Sequence, residues 1–134
     1  MRTYIPHYAR YGLEAARYRE LRNFCLQYPT WKADAESLLG VSGQKYDAMP
    51  HGSGVSDPVA RAAEKRERLN EKIQMVENCA RMVDGGRWYF ALIQNCCMGK
   101  PLMSIDPVLF PTSNRNAYYQ ARRGFFLALD AMKE

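Results

Sequence analysis

Asp57-Pro58-Val59-Ala60-Arg61-Ala62-Ala63-Glu64-Lys65-Arg66-Glu67-Arg68-Leu69-Asn70-Glu71-Lys72-Ile73-Gln74-Met75-Val76-Glu77-Asn78-Cys79-Ala80-Arg81-Met82-Val83 reads as one long helix and organises everything around it. Asp57 suits the cap and Pro58 the first helical position, where a missing N–H costs nothing because first-turn amides have no intrahelical partner. No glycine or proline follows until Gly85. Leu69, Ile73, Val76, Ala80 and Val83 are spaced 4, 3, 4 and 3 apart. That is a short heptad seam, and it has to bury itself against something. Two covers are open: the other helices of the same chain, or a second copy in a coiled-coil homodimer.

Upstream, Tyr18, Leu21, Phe24 or Cys25, and Tyr28 form a helical stripe within 13–28, which Pro29 is expected to end. Thr30 then caps a second helix carrying Trp31, Ala35 and Leu38 or Leu39, with Gly40 as its stop. Residues 1–12 form an arm with Tyr4, His7, Tyr8, Arg10 and Tyr11. Gly43, Gly52 and Gly54 make 40–56 read as a linker. The parts are therefore 1–56 (arm, helices and linker), 57–84 (central helix) and 85–134 (C-terminal unit).

Downstream, Trp88, Ala91 or Leu92, and Asn95 or Cys96 mark a helix ending near Gly99. A short element over 102–110 follows; Pro107 keeps it brief or starts it at Asp106. After Pro111, Thr112 or Ser113 is expected to cap a last helix whose buried face is Tyr118, Ala121, Phe125, Ala128 or Leu129, and Met132. Gly124 inside it costs about 1 kcal/mol relative to alanine unless close packing makes use of it. From Thr112 to Phe126 there are three arginines, two asparagines, a glutamine, two tyrosines and no carboxylate. The bland reading of that surface is a solvated polar face. The sharper one is a DNA-reading face, because Arg suits guanine and Asn or Gln suits adenine in the major groove.

The segment Trp88-Tyr89-Phe90-Ala91-Leu92-Ile93, the turn Phe110-Pro111-Thr112-Ser113-Asn114-Arg115-Asn116 and the string Tyr118-Tyr119-Gln120-Ala121-Arg122-Arg123-Gly124-Phe125-Phe126 belong together. In that order they resemble the region-4-like domain of small prophage proteins related to the RinA and ArpU late-gene regulators and to bacterial sigma factors. The resemblance implies an all-α fold with N-terminal helices, one long central helix and a C-terminal helix-turn-helix. It implies a transcriptional regulator that binds double-stranded DNA, with RNA polymerase as a further candidate partner. Thr112 and Ser113 would form the turn at the DNA, and Asn114, Arg115, Asn116, Tyr119 and Gln120 would meet base edges or nearby phosphates. Arg122 and Arg123 would hold the backbone. A DNA-packaging adaptor of the small-terminase kind and a helical protein-interaction module are the alternatives.

Composition agrees with a nucleic-acid partner. Net charge is +5 over 134 residues, and Lys plus Arg against Asp plus Glu is 7 to 5 in 1–56, 6 to 6 in 57–84 and 6 to 3 in 85–134. The C-terminal unit is thus basic while the central helix is balanced, as expected for a helix laced with ion pairs. With no long apolar run and no export signal at the N-terminus, a cytoplasmic protein without a membrane partner is expected. Cys25, Cys79, Cys96 and Cys97 show no metal-type spacing and read as buried thiols. His7 and His51 have no companion ligands, no glycine-rich phosphate loop is present, and Glu64, Glu67 and Glu71 are flanked by Arg and Lys. No enzymatic activity, metal or cofactor is expected.

Overall fold

Pro29 does not end a helix; it stands in the first turn of one. The computed structural model describes residues 13–43 and 57–133, and there the first helix, α1, spans Ala15–Leu26. Gln27 alone separates it from α2, Tyr28–Gly43. A proline near a helix start sacrifices no hydrogen bond, so Tyr28-Pro29-Thr30 opens α2, and Thr30 lies inside it rather than capping it. Gly40 does not stop α2 either. Glycine permits a left-handed stop without imposing one, and its cost of about 1 kcal/mol in a helix is small beside the burial of a large side chain. The helical end of α2 therefore takes in the first part of the expected linker; the arm (1–12) and the rest of the linker (44–56) lie outside the described residues.

The central helix, α3, spans Pro58–Met82, and the Asp57 carboxylate accepts a hydrogen bond from the Val59 amide at 2.9 Å. Its buried residues are Ala62, Leu69, Ile73, Val76, Cys79 and Ala80. The seam is covered from within the chain, by extensive packing on α2 and further packing on α5 (Arg115–Met132). A homodimer through α3 would have to use another of its faces. At the α2–α3 contact the Tyr28 hydroxyl donates to Glu77 at 2.5 Å, and Lys32 lies 3.7 Å from the same carboxylate. Burial and this hydrogen bond push the Tyr28 phenol well above its ordinary range.

A sharp reversal follows α3. Asp84, Gly85 and Gly86 all have positive φ, at 47°, 66° and 86°. Aspartate tolerates this conformation better than most residues, and its carboxylate accepts from Trp88 Nε1 at 3.1 Å and from Arg87 at 3.3 Å. The turn swings Trp88 into the core and starts α4, Tyr89–Leu92, which continues as a π-helical turn over Ile93–Cys97. Gly99, at φ 72°, closes that turn, and the Lys100 amide donates back to the Gln94 carbonyl at 3.0 Å.

Leu102–Ser104 and Pro107–Leu109 are two single 3-10 turns, the second capped by Asp106 accepting from the Val108 amide. Three prolines within 101–111 account for their brevity, since each removes an amide donor. The last helix, α5, is capped by Asn114, whose side chain accepts from the Asn116 amide at 2.9 Å; neither Thr112 nor Ser113 is the cap. Thr112 instead steadies the turn, its hydroxyl accepting from the Asn114 amide at 3.2 Å. Tyr118, Ala121, Phe125, Phe126 and Leu129 are buried, whereas Met132, in the last turn beyond Leu129, is half exposed. One core joins all five helices. The described residues contain helices and turns without strands, so the fold is all-α.

All four cysteines are free and buried in this core. The adjacent Cys25 thiol and burial raise the Cys97 thiol far above its usual range. Burial pushes Cys79 up to about 11 and Cys96 up to about 12.

Candidate nucleic-acid interface

The exposed side of α5 is built by the residues that bury the other side. Tyr118, Ala121, Phe125 and Leu129 recur at helical spacing and turn Arg115, Asn116, Tyr119, Gln120 and Arg123 outward. All five are exposed, and none commits a side-chain polar atom to a hydrogen bond or ion pair with another described residue. The nearest acid along this helix is Asp130, and it is neutralised by Arg17 of α1 at 2.6 Å. Nine residues from Arg115 to Arg123 rise about 13 Å, comparable to the roughly 12 Å width of the B-DNA major groove.

The remaining expected contacts are placed differently from one another. Thr112, Ser113 and Asn114 are exposed at the positive end of the α5 dipole. Two of them also serve the turn: Thr112 receives the Asn114 amide, and Asn114 the Asn116 amide. A cleft of about 300 Å³ lies beside them, lined by Met103, Ile105, Pro107, Phe110 and Arg115 among others.

Arg122 departs from the expected surface. Its guanidinium donates to the Tyr18 hydroxyl at 3.0 Å and to Asn95 Oδ1 at 3.4 Å, so it is half-buried between α1, the π-helical turn and α5. Arg123 faces outward and Arg122 inward, so the basic pair does not act as a unit. The inward position brings Arg122 together with Arg22 and Lys100, two cations that reading along the chain did not single out. No periodicity links them; Arg22 lies on α1 and Lys100 follows the glycine turn.

No helix among the described residues is long and apolar enough to cross a membrane, and among them no group of three His, Cys, Asp or Glu side chains is placed to hold a metal. Comparison with known proteins adds no relative: no family profile, curated protein or solved structure matches the chain.

Proposed function

We propose that this chain is a sequence-specific DNA-binding transcriptional regulator of the prophage type, with α5 as its recognition helix. The observation that carries the reading is the outward face of Arg115, Asn116, Tyr119, Gln120 and Arg123, which is free of carboxylates and has its polar groups uncommitted. A solvated face of ordinary composition would mix acids among its bases; this one presents only donors, amides and a phenol. Arg115, Asn116 and Gln120 would address base edges, and Tyr119 and Arg123 the adjacent phosphates. The α5 N-terminus, with Thr112, Ser113 and Asn114, adds a partial positive charge for a phosphate.

In this reading α4 with its π-helical turn and the Pro107–Leu109 turn stand for the supporting elements of a sigma region-4-like helix-turn-helix, the second shortened to a single turn. A supporting helix that short leaves the core side of α5, anchored by Phe125 and Phe126, to fix the angle at which the helix is presented. A second reading, docking on another protein such as RNA polymerase, is favoured by the exposed Met103 and Val108 on the turns beside α5.

The test is a gel shift with duplex DNA from around the protein's own gene at two salt concentrations. Arg115→Ala or Gln120→Ala should cost about 1–3 kcal/mol on the preferred site and reduce discrimination there. Arg123→Ala should weaken all sequences alike and make the slope of log affinity against log salt shallower by about one unit. Selective binding that survives replacement of all three residues in a folded protein refutes the proposal.

A further inference from the structure

Behind the outward face of α5 lies a pocket of about 280 Å³ between α1, the glycine turn and α5. Its polar walls are Arg22, Lys100, Arg122 and Asn95, its apolar walls include Leu26 and Phe126, and no carboxylate lines it. Some cations of this protein sit against acids, Arg17 with Asp130, Lys32 with Glu77, Arg87 with Asp84 and Lys133 with Glu20. Arg22 and Lys100 have no such neighbour among the described residues. Three positive charges converge from three separate segments onto one concavity.

Arg122 and the Lys100 backbone are held in place, while the Arg22 and Lys100 side chains are exposed at the rim. Asn95 is the hub: its Oδ1 accepts from the Tyr118 hydroxyl at 2.7 Å and from Arg122 at 3.4 Å, while its Nδ2 donates to the Lys100 carbonyl at 2.9 Å. The Tyr18 hydroxyl accepts from the other arm of Arg122 at 3.0 Å. Gly99 turns the chain at φ 72° so that Lys100 folds back over the π-helical turn, its amide on the Gln94 carbonyl. A guanidinium with fixed orientation lines the pocket with a second guanidinium-bearing and an ammonium-bearing residue, and such groups give an oxyanion charge-assisted donors. The volume falls just below the roughly 300–1,000 Å³ of sites that enclose drug-sized ligands. It therefore suits a single phosphate group better than a whole nucleotide.

We propose that this pocket is an oxyanion seat of the phosphate class, formed by Arg22, Lys100 and Arg122 and positioned by Asn95. The occupant is either a phosphoryl group of a small ligand or a phosphate of a nucleic-acid backbone; the binding chemistry is the same. The inference stands apart from the DNA reading, because it rests on the pocket alone.

The test is a titration of the 15N-labelled full chain with inorganic phosphate at constant ionic strength, followed through the amide resonances of Arg22, Gly99 and Lys100. The expected result is a saturable shift at these positions, with half-saturation raised about tenfold or more in the Arg22→Gln/Lys100→Gln double variant, the equivalent of losing one charge-assisted hydrogen bond or more. Both side chains are exposed and unpaired with acids, so the double variant keeps the fold, which its unchanged spectrum elsewhere verifies. Lys65→Gln, on the far-removed exposed part of α3, leaves the titration as in the parent. Shifts that stay linear, or that saturate identically in the double variant, overturn the proposal. Duplex DNA separates the sources: a backbone phosphate as occupant makes inorganic phosphate compete with DNA and makes the salt slope shallower by about one unit for each of Arg22→Gln and Lys100→Gln. A small phosphorylated ligand as occupant leaves DNA affinity unchanged in the same variants. A chain that binds no DNA at all still answers the phosphate titration, so the two proposals fail separately.

Discussion

Gly124→Ala should stabilise the protein. Gly124 lies inside α5 with helical backbone, so alanine recovers about 1 kcal/mol of helix propensity. The sign then depends on room for one methyl group. A Cβ at this position meets the Val83 methyls at 3.7 and 3.8 Å, ordinary van der Waals distances, and nothing nearer. Each such contact adds about 0.1–0.2 kcal/mol, and partial burial of the methyl adds a few tenths more. The total is about 1.5 kcal/mol. With an unfolding entropy near 2.1 cal/mol/K per residue, a chain of this length should gain about 5 °C in Tm. Urea denaturation followed by circular dichroism should show a higher midpoint with an unchanged slope. A midpoint below that of the parent would refute the reasoning, since it would mean that α5 and Val83 approach too closely for a methyl. Gly86→Ala supplies the contrast: at φ 86° and with the Arg81 carbonyl 3.4 Å from the new Cβ, it should destabilise by about 1–2 kcal/mol.

Further outcomes are expected of the core and its ionisable groups. Ile73→Asp places a charge in the buried α3 seam and should cost several kcal/mol; a variant that melts like the parent would mean the seam is exposed. All four thiols should titrate with a thiol reagent after denaturation without reductant, and slowly before it, because they are buried and Cys79 and Cys96 are pushed up to about 11 and 12; loss of two thiols that reductant restores would contradict this. Tyr28 has a raised folded-state pKa, so its contribution is fully present below the unfolded phenol value near 10 and lost as pH rises beyond it. Tyr28→Phe should therefore lower stability at neutral pH by about 1 kcal/mol, through the lost bond to Glu77, and flatten the alkaline decline; an alkaline limb identical to the parent's would exclude Tyr28 as its source.

Local chemistry is legible residue by residue where it acts over one or two turns. Asp57 and Pro58 start α3 where expected because cap and first-turn preferences are satisfied within four residues. The α3 seam and most of the buried face of α5 follow from spacing alone, since a side chain's azimuth on a helix depends only on its position in the sequence. The outward placement of Arg115, Asn116, Tyr119, Gln120 and Arg123 follows by the same geometry. Pro29 and Gly40 show the limit of reading breakers singly: each permits a break without imposing one, and α2 runs through both.

By itself, then, the order of residues determined most of the helical segments, though not where α2 begins and ends, and the apolar faces of α3 and α5, because those faces follow from short-range backbone sterics and period. Only the tertiary structure decided what covers each face. It assigned the α3 seam to α2 and α5 of the same chain instead of leaving it for a second copy. It also drew Arg122 inward, since the groups that hold it, Tyr18 and Asn95, lie 104 and 27 residues away and no pattern in the neighbourhood of Arg122 registers them. Arg22, Lys100 and Arg122 become one site for the same reason: convergent charge is a property of packed elements, and it exists only once α1, the glycine turn and α5 have been brought together.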